Sequence, residues 1–260
     1  MNIIVCIKQV PDTTEVRLNP ETGTLIRDGV PSIINPDDKA GLEAALDMKD
    51  AHGAHITVIT MGPPQADVAL REALAMGADK AILLTDRAFA GADTLATSTT
   101  LAAAIRKLDY DLVIAGRQAI DGDTAQVGPQ IADHLELPQV SYVAGLEKKD
   151  NSVILKRQFE DSYHMIQVEM PCLITTLSEM NKPRYMRVGG IMDAYNEKVV
   201  EKWTLEDIEV DTTKIGLKGS PTKVKKSFTK GSKPAGEKHE VSPQEAGKLI
   251  ALKLKEKYVI

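Results

Sequence analysis

Residues 111–129 read Asp111-Leu112-Val113-Ile114-Ala115-Gly116-Arg117-Gln118-Ala119-Ile120-Asp121-Gly122-Asp123-Thr124-Ala125-Gln126-Val127-Gly128-Pro129. An unbroken apolar run stops at a glycine, crosses a small-residue loop and enters a helical pattern. A buried parallel strand hands over to a crossover helix in this way. Outward from it, the alternation repeats. Residues 2–8 (NIIVCIK), 55–61 (HITVITM) and 80–85 read as buried strands. Residues 36–52, 64–76 and 93–108 read as helices, with Gly77 as a stop signal. The helix after the quoted strand is placed at roughly 124–137. This pattern predicts an α/β fold, a doubly wound parallel sheet covered on both faces, with right-handed crossovers.

Beyond Pro138 the pattern changes. Residues 140–143 and 172–177 read as strands, and residues 152–159 and 163–170 as an antiparallel hairpin turning at Glu160-Asp161-Ser162. From Met180 the rhythm is lost. Residues 212–236 contain no acid but carry Lys214, Lys218, Lys223, Lys225, Lys226, Lys230 and Lys233 among glycines and prolines. Such a stretch buries little apolar area of its own. It reads as a solvated linker, with docking of an acidic partner as the sharper alternative. Residues 242–257 recover a helical pattern, with Ala246, Leu249, Ile250 and Leu254 on one side. The expected organisation is an α/β domain over 1–195 and an extended C-terminal arm over 196–260, its helix docking on a partner subunit.

The chain has 260 residues, 32 basic and 37 acidic, for a net charge of −5. Apolar content of 43% with 27% charged residues is ordinary globular usage. No apolar run is long enough to span a membrane, and no basic segment precedes a long apolar one, so neither a span nor a cleaved secretory signal is expected. Cys6 and Cys172 both lie in apolar strands, which points to buried thiols in a reducing, cytoplasmic setting. The acidic balance and an aromatic content of 4% argue against nucleic-acid binding.

In a doubly wound sheet, ligands sit beyond the carboxyl ends of the strands. The 116–128 loop is therefore the first candidate site. Gly116, Gly122, Ala125 and Gly128 allow close backbone approach, and the helix start offers N–H groups to a phosphate. Asp123 or Thr124 is the expected N-cap. Asp121 and Asp123 would repel an anion unless they point away or are answered, and Arg117 supplies compensating charge. The bare pattern reads equally as a structural turn. A second element, Asn35-Pro36-Asp37-Asp38, is a strong helix start better suited to ribose or adenine than to phosphate. Cys6 and Met61 lie in or at the end of apolar strands, where plain core is the simpler reading. Neither a Gly-x-Gly-x-x-Gly nor a Walker A pattern is present. No spacing suggests a metal, the five histidines are scattered, and no catalytic nucleophile can be assembled.

Several stretches together resemble the beta subunit of electron transfer flavoprotein. They are Val5-Cys6-Ile7-Lys8-Gln9-Val10-Pro11, Gly29-Val30 through Ile34-Asn35-Pro36, Ala73-Leu74-Ala75-Met76-Gly77-Ala78-Asp79, the 116–128 loop, Asn181-Lys182-Pro183-Arg184-Tyr185-Met186 and Ile191-Met192-Asp193-Ala194. The resemblance implies a heterodimer with an alpha subunit that carries the electron-transferring FAD. It implies a nucleotide held by Cys6, Asn35, Pro36, Asp37, Asp38, Met61, Gly116, Arg117, Gln118, Ala119, Ile120, Asp121, Gly122, Asp123, Thr124, Ala125, Gln126 and Val127. It also implies a partner-binding loop of Arg184, Tyr185, Met186, Arg187, Val188, Gly189, Gly190, Ile191, Met192 and Asp193, with Val188 where the family's anchor is leucine.

Asp121-Gly122-Asp123-Thr124-Ala125-Gln126-Val127-Gly128, with Arg117, resembles the electron-bifurcating branch, whose beta subunit binds FAD in place of AMP. Gly122 and Ala125 are smaller than the residues of the AMP-holding branch and leave room for a dinucleotide. The implied activity is hydride acceptance from NADH. One electron then passes to ferredoxin and one, through the alpha-subunit FAD, to a flavin dehydrogenase of acyl-CoA or lactate type. The chain would be an electron-carrier subunit of that oxidoreductase complex, with no side chain acting as acid or nucleophile. Arg117 is expected to neutralise the pyrophosphate. The alternatives are a non-bifurcating beta subunit holding structural AMP and a nucleotide-hydrolysing enzyme of related fold.

Overall fold

In a computed structural model describing residues 1–12, the backbone of 17–18 and 25–26, and residues 31–223 and 236–260, the first apolar run forms β1 (Asn2–Cys6). Four short strands follow: β2 (Gln9–Pro11), β3 (Arg17–Leu18), β4 (Leu25–Ile26) and β5 (Ser32–Ile34). β2 pairs antiparallel with β5, and β3 with β4. Gly29 and Val30 lie outside the described residues. Helix α1 (Pro36–His52) starts with Pro36 in its first turn and ends at Gly53, whose left-handed φ of 68° lets its N–H reach the Lys49 carbonyl. Then come β6 (His55–Met61), α2 (Asp67–Met76) after a 3-10 turn at Pro64–Ala66, and β7 (Lys80–Leu84). Helix α3 (Thr94–Ile105) is capped by the Asp93 carboxylate on the Ala96 N–H. The run quoted above becomes β8 (Leu112–Gly116) and leads to α4 (Val127–His134).

The start of α4 corrects the expected cap. Asp123 and Ala125 adopt φ of 50° and 53°, a left-handed backbone that cannot continue a right-handed helix. The helix therefore waits until Val127, and Gln126 precedes it without a side-chain cap.

The second half adds β9 (Gln139–Lys149), β10 (Ser152–Gln158), β11 (Tyr163–Glu169) and β12 (Cys172–Thr176). Helix α5 (Val188–Asn196) and strand β13 (Val200–Trp203) follow, then the single turn α6 (Gly216–Gly219) and α7 (Pro243–Glu256). Among the described residues, nine strands form one sheet in the order β11-β10-β9-β12-β8-β1-β6-β7-β13. From β9 to β13 every neighbouring pair is parallel; β9, β10 and β11 are joined antiparallel, as the hairpin reading expected.

Alternation along the central strand builds two cores. Ile3 and Val5 of β1 pack with Leu42, Leu46 and Leu70 of α1 and α2 on one face. Ile4 and Cys6 pack with Leu101 and Ile131 of α3 and α4 on the other. Burying one such side chain contributes roughly 1.5–3 kcal/mol, so the sheet is a firm platform for the loops at its edge.

Contacts divide the chain into two units, Met1–Lys225 and Lys226–Ile260. The division falls further along the chain than the boundary expected after residue 195. Strand β13 joins the sheet beside β7, with Val200 opposite Ala81, and keeps the residues around it in the first unit. In the second unit, α7 begins with a capping box between Ser242 and Glu245, and its Ile250, Leu252 and Leu254 are exposed. Residues 224–235, which hold much of the basic stretch, lie outside the described residues. No described helix is long and apolar enough to cross a membrane.

Candidate nucleotide site

The winding of the sheet locates the site. The chain steps from β1 to β6 and β7 on one side, then returns to place β8 on the other side of β1. The cleft at the carboxyl ends of β1 and β8 is thus the topological switch point, where open α/β sheets take their ligands. Cys6 ends β1, Met61 ends β6, Gly116 ends β8, and the N-terminal turn of α1 lies against the same edge.

The first turn of α1 pins the loop from beneath. The Asn35 amide donates to the Gln118 carbonyl at 2.8 Å, and its oxygen accepts the Ile120 N–H at 3.0 Å. Asp38 accepts the Lys8 N–H at 2.7 Å and the Gly116 N–H at 3.0 Å. Asp37 accepts the Ser178 N–H at 3.0 Å, while the Thr176 hydroxyl donates to the Asp37 carbonyl at 2.9 Å. Gly116 is required at its position: a Cβ there would stand 2.0 Å from Asp38 Oδ1 and 2.8 Å from the Asp38 nitrogen.

The acids of the site are answered by the protein itself. Lys8 Nζ donates to both Asp121 oxygens, at 2.7 and 2.9 Å. The Gln118 amide donates to Asp123 at 2.9 Å. Arg117 Nε stands 3.2 Å from Asp37 Oδ2, so the guanidinium is beside a buried carboxylate as well as at the cleft. Asp37 and Asp38 therefore support the loop from within. Burial pushes Asp38 up to about 7, against the pull of hydrogen bonds from Asn35, Lys8 and Gly116. Burial, with the Asp38 charge adding to it, pushes the Cys6 thiol up to about 12, so Cys6 is an inert packing group.

The loop's outer rim, Asp121, Gly122, Asp123 and Thr124, is exposed. A Cβ on Gly122 would meet nothing within 4 Å, so the rim is open. The Thr94 hydroxyl donates to the Gln126 side chain at 2.8 Å, joining α3 to the loop just before α4. Gly128 sets α4 down on β12, where a Cβ would come 2.6 Å from the Thr175 methyl. Two cavities, of about 330 and 390 Å³, lie elsewhere, beside the α2–α5 contact and between α1 and β9. The candidate cleft, at the carboxyl ends of β1 and β8, is open. Among the described residues no group of three His, Cys, Asp or Glu side chains is placed to hold a metal ion.

The second expected site lies elsewhere on α1 and α5. Residues 184–187 are irregular, but residues 188–193 form the first turns of α5. Tyr185 is 91% and Val188 77% exposed, with Met186, Ile191 and Met192 also outward. Arg184 is different. Its Nε donates to Glu43 Oε1 at 2.8 Å and its backbone N–H to Glu43 Oε2 at 2.8 Å. Its terminal nitrogens reach Asp47 at 3.2 Å and Asp50 at 2.9 Å. Sequence reading missed Lys8, Ser178 and this clamp. The acidic stripe Glu43, Asp47, Asp50 does stand at i, i+4, i+7 on α1 and was a legible signal for a cationic partner.

Comparison with known proteins gives consistent matches. The electron transfer flavoprotein domain matches residues 22–208. The electron transfer flavoprotein subunit beta of Clostridium acetobutylicum is 60% identical over 260 residues, covering all of both chains. Subunit CarD of the caffeyl-CoA reductase-Etf complex of Acetobacterium woodii is 56% identical, again over 100% of each chain. The acryloyl-CoA reductase electron transfer subunit gamma of Anaerotignum propionicum is 50% identical with the same full coverage.

Proposed function

Since the chain belongs to the electron transfer flavoprotein family and matches beta subunits from end to end, we propose that its β1–β8 cleft holds FAD and that it serves in electron bifurcation. The observation that carries this reading is the loop itself. Both of its acids are held from within, Asp121 by Lys8 and Asp123 by Gln118, while its rim of Asp121 to Thr124 stays open. An anionic ligand can then approach main chain at Gly122 and the start of α4 without meeting an uncompensated carboxylate.

Each residue has a part in that reading. Gly116, Gly122 and Ala125 give the backbone its close approach. Gln118 to Val127 line the cleft, and Asn35, Asp37 and Asp38 hold that lining in place. Arg117 contributes positive potential that it shares with Asp37. Cys6 and Met61 form the apolar floor at the strand ends. FAD, when bound there, supplies the two-electron chemistry that accepts hydride from NADH and delivers single electrons. The recipients in this proposal are ferredoxin and, through the alpha subunit, a flavin dehydrogenase. The names of two relatives, a caffeyl-CoA reductase complex and an acryloyl-CoA reductase, favour an acyl-CoA type for that partner. The exposed face of Tyr185, Val188 and Met192 is the proposed contact for it. Helix α7 is proposed to dock on the alpha subunit through the side that carries Ala246, Leu249, Ile250 and Leu254.

The test is nucleotide content. The heterodimer with its alpha subunit is purified, denatured, and its released nucleotides are separated and counted. Two FAD per heterodimer is the expected result. One FAD with one AMP would move the chain to the structural, AMP-holding role.

A further inference from the structure

Asp38 differs from the other acids of the cleft in what holds it. Its two oxygens accept main-chain N–H groups on either side of the switch point: Lys8, just past β1, at 2.7 Å, and Gly116, the last residue of β8, at 3.0 Å. The side chain is thus a tie between the two strands that flank the cleft. We propose that Asp38 is a positioning residue for the cofactor: its ionised carboxylate holds the 116–127 loop in its binding shape, and protonation loosens that hold. The inference rests on the reading of this loop as a nucleotide site.

The chemistry of the tie explains its dependence on charge. A carboxylate is acceptor-only and takes both N–H groups at once. A carboxylic acid offers a weaker hydroxyl oxygen on one side and brings a proton that needs a buried acceptor of its own. The surroundings leave little room to adjust, because Asp38 is 7% exposed and its Oδ1 lies 2.0 Å from where a Gly116 Cβ would stand.

The groups around it set when the change occurs. Asp37 adds a like charge from the same turn, itself 3.2 Å from Arg117. Cys6 faces it from β1 as a neutral thiol. The Asn35 side chain and the Lys8 and Gly116 amides favour the charged form. The Lys8 ammonium is turned to Asp121. Burial outweighs these and places the transition at about 7. The site is tight above that pH and loosens below it.

The test uses the full-length chain with FAD as the probe, because the phosphate of AMP titrates near pH 6 itself. FAD affinity is measured at about pH 6 and about pH 8 by calorimetry. The amide proton resonances of Lys8 and Gly116 are followed through the same range by NMR. For the unaltered chain, loss of one charged hydrogen bond should weaken FAD binding about tenfold at the lower pH. Both amides should shift with a common midpoint near 7. Asp38→Asn should bind FAD weakly at both pH values, with no amide titration. Lys8 and Gly116 amides that stay still in the unaltered chain would overturn the inference without any variant. So would an Asn variant that keeps full affinity and the same pH profile. Failure of the unaltered chain to bind FAD at pH 8 while binding AMP tightly would remove the dinucleotide reading alone, and the amide titration would then stand for the AMP site. Binding of neither nucleotide would remove the site and this inference together.

Discussion

The two ends of α1 hold carboxylates in contrasting ways. In the first turn, Asp37 and Asp38 meet the amides of Ser178, Lys8 and Gly116, with Arg117 as the formal cation beside Asp37. Further along, Glu43, Asp47 and Asp50 converge on the Arg184 guanidinium. Amides are short, fixed dipoles, so they place backbone accurately but leave part of the desolvation of Asp38 uncompensated. Arg184 brings a full charge and a planar fork, and its own pKa is held above the ordinary value: burial works against its charge, but Glu43 and Asp50 outweigh it. One end is therefore sensitive to protons and the other to breaking a charge pair. The first supports the loop proposed to hold the cofactor, the second the segment proposed to meet the partner.

The largest expected effect exploits the proton-sensitive end. Asp38 sits at about 7 in the folded chain against an ordinary 3.8. Between those values the folded state keeps a proton that the unfolded state has released, so stability falls as pH rises through this window. At about 1.4 kcal/mol per pH unit the loss approaches at most about 4 kcal/mol. Urea midpoints of the natural chain and Asp38→Asn across the window should show a slope present in the first and absent in the second. The ionised form that the loop needs is then the less stable one, a pattern common at functional sites.

Next in size is Gly116→Ala. Its methyl would collide with the Asp38 carboxylate and backbone, neither of which can yield without moving α1. A loss of about 3 kcal/mol in urea unfolding is expected. Arg184→Gln should cost about 2 kcal/mol, because it leaves the buried Glu43 carboxylate without its cation. Hydrogen exchange should rise over residues 184–196 and stay unchanged over 116–127. A rise in both segments would show that the two ends of α1 are not independent.

What the sequence made legible follows from the range of each signal. The alternating elements from β1 to α4 were readable because continuous apolar strands and capped helices are local patterns. The hairpin of β10 and β11 was readable from alternation about a polar turn. Strand β13 was not: Val200–Trp203 is four residues long and mixes Glu201 and Lys202 with its apolar positions. It becomes a strand because the β7 edge is beside it. The start of α4 was misplaced because Asp123 serves as readily for a helix cap as for a left-handed turn, and nothing in the type of Ala125 announces a left-handed backbone. The loop stood out by its small residues, whereas the tie that Asp37 and Asp38 make to its surroundings did not. Their partners, Lys8, Gly116 and Ser178, are distant in sequence and use backbone N–H groups that every residue type carries. The acidic stripe on α1 was visible; Arg184 as its partner was a tertiary fact.

The smallest effect sharpens the comparison within the Arg184 clamp. Three acids touch one guanidinium, but their surroundings differ: the Glu43 side chain is 7% exposed and that of Asp50 is 65% exposed. Water already solvates Asp50 and screens its pull, so Asp50→Asn should cost no more than about 0.5 kcal/mol. That small loss should vanish at about 1 M salt, where the screening length falls to about 3 Å. Glu43→Gln should keep most of its larger cost under the same salt, because its contact is removed from solvent. Equal losses for the two variants would mean that the fastening of residues 184–196 depends on the total negative charge of the stripe. Unequal, salt-separable losses would place it in the one buried pair.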